Sequence, residues 1–208
     1  MSGARPGDAA APPEDAREAR RALAETRAWV ERAVIGLNLC PFARAVQAKG
    51  RVRYAYAGTA DPAALLERLC EEMHRLAAAD PQEVDTTLLV HPHALGGFLD
   101  FNDFLGSAEA ALEALGYAGT LQLASFHPHY RFAGTAPEDL GNATNRSPYP
   151  TLHLLREDSV ERAVSAFPET DAIYQRNIET LERLGSAGWA ALRQACRDDA
   201  RAASGGEQ

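Results

Sequence analysis

The chain is poor in the residues on which several large functional classes depend. Its three cysteines, Cys40, Cys70 and Cys196, lie far apart in no metal-finger spacing. A sparse, odd count belongs to a reducing cytosol rather than to a disulfide framework. Cationic charge is in deficit: a formal net charge of −8 over 208 residues argues against the clustered Lys and Arg of a nucleic-acid-binding surface. No apolar run approaches the roughly 20 residues needed to cross a bilayer, and the N-terminal segment has no continuous apolar stretch of the secretory kind. No Gly-x-Gly-x-x-Gly follows a strand pattern, and Gly-Lys-Ser/Thr, Gly-x-Ser-x-Gly and His-Glu-x-x-His are all missing. Nucleotide cofactors, serine hydrolysis and zincin proteolysis lose their support accordingly. The expectation is a cytoplasmic protein without nucleic-acid or membrane partners, its oligomeric state left open.

What is present is ordinary globular composition, 46% apolar and 24% charged. Residues 1–13, rich in Ala, Gly and Pro, are expected to be a disordered tail, as are residues 203–208, with one α/β domain over 14–202. From Glu14 a helical period places Leu23, Val30, Val34 and Leu37 on one face. Pro41 suits the first position of a short helix running to Ala48, which would put Cys40 at its N-cap. Strands are expected at 51–57, 85–91, 119–126 and 151–156, with helices at 62–79 and 100–115 between the first three and more helices after the last. Alternation in the first strand marks a sheet edge, and the near-continuous apolar run Thr86-Thr87-Leu88-Leu89-Val90 marks an interior position. Two right-handed β-α-β crossovers make the first three strands parallel. The fold class is α/β: a small four-stranded mixed sheet, β-α-β-α-β plus one strand after a long loop, with flanking helices.

Two of the strands end in the same tripeptide, His91-Pro92-His93 and His127-Pro128-His129. Ligands of open parallel sheets bind beyond the carboxyl ends of the strands. Counting by two, His91 shares a face with Thr87 and Leu89, and His127 with Leu121, Leu123 and Ser125. A Cys40 thiolate favoured by helix N–H groups would complete a catalytic site or a metal site of two nitrogens and one sulfur, the metal being zinc or iron. The alternatives are metal-free acid–base chemistry and histidines that only cap their strands.

The connection of residues 127–150 is too long and too rich in aromatic residues for an idle loop. Thr135, Asn145, Arg146 and Ser147 are its candidate substrate-binding residues, with the Arg146 guanidinium as a carboxylate or phosphate clamp. The competing view is that Arg146 and the amides tie the loop to itself.

Asn38-Leu39-Cys40-Pro41-Phe42-Ala43, Ser125-Phe126-His127-Pro128-x-Tyr130-x-Phe132-Ala133-Gly134-Thr135, and Asn145-Arg146-Ser147-Pro148-Tyr149-Pro150 with Leu152-His153-Leu154-Leu155-Arg156-Glu157 resemble a bacterial family known as domain of unknown function 1415. The resemblance spans about residues 22–184. It implies a stand-alone bacterial cytoplasmic protein and carries no activity with it. His129 departs from the family pattern, which has a carboxylate there, and so becomes a further candidate ligand. The functional expectation is an enzyme acting on a small anionic metabolite or peptide group, through Cys40, His91 and His127 with Arg146 as clamp. The alternative is a non-catalytic binding or accessory protein that uses residues 127–150 as its recognition surface.

Overall fold

The structure, a computed structural model, describes residues 14–166 and 170–205. The expected tail at 1–13 and residues 206–208 of the expected tail at 203–208 lie outside the described residues, whereas residues 203–205 belong to the end of the last helix. Helix α1 (Glu14–Trp29) passes into a π-helical turn (Val30–Ile35), and the short helix α2 (Ala43–Ala48) follows. Strand β1 (Val52–Tyr56), helix α3 (Pro62–Ala78), strand β2 (Thr86–Val90), helix α4 (Phe98–Ala114) and strand β3 (Leu121–Phe126) come next in order. A 3-10 turn (Leu140–Asn145) interrupts the long connection before strand β4 (Thr151–Arg156), helix α5 (Glu157–Ala166) and helix α6 (Thr170–Gly205). Asp61 caps α3 by accepting from Ala63 N–H, with Pro62 in the first turn. Gly185, at φ 69° and ψ 169°, bends α6 into two segments, a conformation that suits a residue without Cβ.

The sheet order is β1-β2-β4-β3, with β1 and β2 parallel and β4 antiparallel to both of its neighbours. The three expected parallel strands therefore do run in one direction. The second crossover skips one position, and the long loop returns β4 into that gap, where it is buried by strands on both sides.

Register divides the side chains between two apolar layers. Arg53 pairs with Thr87, Ala55 with Leu89, Leu89 with Leu152, and Leu123 with Leu154. The apolar members of this face pack with Leu65, Leu69, Met73 and Leu76 of α3 and Phe101, Phe104 and Ala108 of α4. The opposite face, with Val52, Tyr54, Leu88 and Phe126, meets Trp29, Val30 and Ala33 near the end of α1 and Leu181, Trp189 and Cys196 of α6. Each fully buried Leu of these layers contributes roughly 2 kcal/mol of burial free energy, and both layers share one sheet.

Two charged residues are drawn into the first layer. Glu72 is 0% exposed and accepts from Arg53 at 2.7 and 3.1 Å, with Arg68 at 2.7 Å and Arg75 at 3.7 Å. Arg156, at the end of β4, donates to Leu76 O, Ala79 O and Val84 O, occupying carbonyls at and beyond the end of α3.

Candidate functional site

The register expectation for the strand-end histidines is met: His91 and His127 stand on the same face of the sheet, with β4 between their strands. The ring of Phe101 lies 5.8 Å from His91 and 5.1 Å from His127. Both imidazoles are 0% exposed. His91 Nδ1 must donate to Ala94 O at 3.2 Å, because a carbonyl only accepts. Its Nε2 lone pair is therefore the one left buried without a hydrogen-bond partner. His127 Nε2 donates to Leu95 O at 3.2 Å, and its Nδ1 accepts from His129 N–H at 3.0 Å. Burial drives the His91 pKa down to about 4, and nearby His127 adds to the effect. Burial lowers that of His127 as well. Burial thus favours the neutral form of both rings, whose N–H groups hold consecutive carbonyls of the turn that leads into α4. Leu95 in that turn has a φ of 56°, an uncommon conformation for a residue with a Cβ.

Cys40 does not join them. Leu39, beside it, is buried in the layer on the other face of the sheet, and Leu39 O accepts from Asn177 Nδ2 at 2.9 Å. The expected N-cap is also displaced: α2 starts at Ala43 with Phe42 as its N-cap, and Cys40 contributes only its carbonyl to Ala43 N–H. The cause is connectivity, since this segment follows directly from α1 and stays with it. Among the described residues no group of three His, Cys, Asp or Glu side chains is placed to hold a metal ion. His91, His127 and Cys40, the expected zinc or iron ligands, form no such group. His129 is exposed, with its ring 5.8 Å from that of His127.

The long connection is largely bonded to itself. Asn142, 0% exposed, accepts from Phe132 N–H at 2.9 Å and Thr135 Oγ1 at 2.8 Å and donates to Ala136 O at 2.8 Å. Thr135 also lies 2.9 Å from Phe132 O. Asn145 Nδ2 reaches Ser125 O at 3.4 Å, and Ser147 Oγ donates to Tyr149 O at 2.5 Å. Arg146 donates through Nε to Tyr130 O at 3.1 Å and through Nη2 to Pro137 O at 2.6 Å. Main-chain bonds from the two histidines clamp the end of this loop: His127 N–H reaches Asn145 O at 3.2 Å and His91 N–H reaches Pro150 O at 3.0 Å. The segment between those anchors begins with Arg146, Ser147 and Pro148.

That segment borders a small cleft with an enclosed space of about 10 Å³, lined by Glu25, Trp29, Arg146, Ser147, Pro148, Arg193 and Cys196. Its centre is narrow, with room for roughly one water molecule. Glu25 and Trp29 of α1 meet Arg193 and Cys196 of α6 here, and Arg32 bonds to Asp199 further along the same two helices. The matched spacing makes α1 and the second segment of α6 a parallel pair. Burial, followed by repulsion from Arg193, lowers the pKa of the Arg146 guanidinium. Neither arginine belongs to a salt bridge among the described residues. Trp29 is 2% exposed, and its indole N–H has no hydrogen-bond partner. Burial pushes the Cys196 thiol up to about 11, so it stays protonated at neutral pH. Glu25 accepts from the Tyr149 hydroxyl at 3.0 Å. Sequence reasoning found Arg146 and Ser147 but missed Glu25, Trp29 and Arg193. Only the matched spacing of two distant helices signals that they meet.

Among the described residues no helix is long and apolar enough to cross a membrane. No curated protein and no solved structure matches the chain. The model of a family described as protein of unknown function, DUF1415, matches residues 21–191. That span contains the sheet, both strand-end histidine motifs and every cleft residue except Arg193 and Cys196. The chain belongs to the DUF1415 family.

Proposed function

We propose that the protein binds a small anionic ligand, taking its carboxylate or phosphate group into the cleft between the α1–α6 pair and the Arg146–Pro148 segment. The observation that carries this reading is the approach of Arg146 and Arg193 to one cleft without a carboxylate bridged to either. Two guanidiniums repel each other, and an anion between them replaces repulsion with charge-assisted hydrogen bonds. Arg146 has five N–H donors, of which Nε and Nη2 already serve the loop. The remaining donors, together with those of Arg193, are the groups an anion would meet. A binding or accessory role is favoured over Cys/His catalysis, because both histidine rings are wholly buried and Leu39, next to Cys40, packs on the other face of the sheet. Three free cysteines and the net charge of −8 support a cytoplasmic setting and a small-molecule rather than nucleic-acid partner.

Calorimetric titration with acetate and with inorganic phosphate tests the reading. At least one of them gives saturable heat, and Arg193→Gln weakens that binding by about tenfold or more. Arg193 is exposed, so its replacement leaves the fold intact. Saturable binding that is indifferent to Arg193→Gln would place the anion elsewhere and overturn the proposal.

A further inference from the structure

The cleft carries charge of both signs. Glu25 stands one turn before Trp29 on α1 and lines the same space as the two arginines. No Arg, Lys or His lies within salt-bridge distance of Glu25 among the described residues. One of its oxygens, Oε2, accepts from Tyr149, which leaves Oε1 as a further acceptor. The cleft therefore carries both signs of charge: guanidinium donors from Arg146 and Arg193 and a carboxylate from Glu25, with Trp29, Pro148 and a protonated Cys196 also in its lining.

We infer that the ligand is a small zwitterion, an α-amino acid or a close relative carrying a carboxylate and an ammonium group. The inference rests on the anion-binding reading and narrows it. A dianionic phosphate would meet the arginines and be repelled by Glu25. A plain carboxylate would leave the free Glu25 oxygen without a cationic partner. A zwitterion satisfies both signs at once, its carboxylate toward the guanidiniums and its ammonium toward Glu25. The narrow centre holds about one water molecule, so both charged groups of such a ligand sit at the open side of the cleft. Ser147 is not part of this recognition, because its hydroxyl is committed to Tyr149 O.

The test is calorimetry on the full chain with glycine and L-alanine as zwitterions, N-acetylglycine as the anion without a cation, glycinamide as the cation without an anion, and inorganic phosphate. Glycine or alanine should bind about tenfold or more tightly than any single-charge probe. Glu25→Gln retains an acceptor for the Tyr149 hydroxyl; it should weaken zwitterion binding about tenfold while leaving N-acetylglycine unchanged or tighter. Should N-acetylglycine or phosphate bind as well as glycine, with Arg193→Gln weakening it, the zwitterion is overturned and the anion site stands. If no probe binds the wild-type protein, both readings fall. Should Glu25→Gln not fold, as judged by circular dichroism, the wild-type probe series alone decides between these outcomes.

Discussion

His91 makes the stability of this fold depend on pH between about 4 and 6.5. In the folded chain its ring is wholly buried, with Nδ1 committed to Ala94 O and Nε2 facing no partner, so a second proton has nothing to bond to. Its pKa falls from 6.5 to about 4. The unfolded chain binds that proton at the ordinary value, so across this window the unfolded state holds one proton more than the folded state. Stability contributed by His91 is fully present above 6.5, is lost as pH falls towards 4, and has no further slope below that. The full effect is about 3 kcal/mol, at a limiting slope of about 1.4 kcal/mol per pH unit. His153, also lowered to about 4 by burial, and His127 act in the same sense. His153 is partly exposed and donates to Thr86 Oγ1, so its share is the smaller one. Urea unfolding followed by circular dichroism at intervals from pH 5 to 7.5 measures the slope above the range in which carboxylates titrate. His91→Asn keeps an N–H near the position of Nδ1 and cannot titrate. Its lost packing lowers stability at every pH alike, so the slope rather than the intercept is diagnostic. The slope should drop by about 0.9 proton at pH 5 and by about half a proton at pH 6.5. An unchanged slope would refute the claim that His91 is buried neutral.

Three further perturbations probe the same structure. Asn142→Ala removes the amide that joins Phe132 N–H, Thr135 and Ala136 O inside the loop; it should cost about 2–4 kcal/mol in urea unfolding and open residues 130–145 to limited proteolysis. Glu72→Ala strands Arg53 and Arg68 around a buried gap and should cost about 3–5 kcal/mol, a loss that a melt within 1 kcal/mol of wild type would contradict. Burial of the Cys196 thiol, with its pKa near 11, predicts that an aromatic disulfide reagent at pH 8 labels it only at the rate of unfolding, whereas immediate labelling in native buffer would show an open site.

Local periodicity carried most of the architecture. The apolar run at Thr86–Val90 does occupy an interior strand, and the alternating Val52–Tyr56 does form an edge. Register by twos placed His91 and His127 on one face because side-chain direction in a strand is a local property. The position of β4 within the sheet was not legible, since nothing in Thr151–Arg156 says which gap it enters. Cys40 misled for a similar reason: Pro41 signals a helix start, yet the chain takes two more residues before α2 begins. Arg146 was legible as a lone cation in a polar loop; two of its nitrogens bind loop carbonyls, as the self-tying view expects, and it also lines the cleft. Arg193 had no such mark. It is one of many charged residues on a helix, distinguished only by what folds against it.

The repeated His-Pro-His tripeptides belong to the cleft even though their rings face the other side of the sheet. The main-chain N–H of His127 holds Asn145 O, and that of His91 holds Pro150 O. These bonds sit where the two strands flanking β4 end, and they clamp the segment that carries Arg146, Ser147 and Pro148. The buried rings in turn hold Ala94 O and Leu95 O, which fixes the turn after β2 and so the position of His91 N–H itself. On this account the histidines are positioning residues for the proposed anion site, which they never touch. His127→Ala should leave the sheet formed but loosen the Asn145 anchor, weakening anion binding through Arg146 while Arg193 stays in place. A calorimetric comparison of His127→Ala with Arg193→Gln separates the two effects. The histidine variant should lose affinity through a larger entropic cost of ordering the loop, and the arginine variant through lost enthalpy of the contact. Wild-type affinity in His127→Ala would show that the clamp is dispensable and that the tripeptides serve only the sheet.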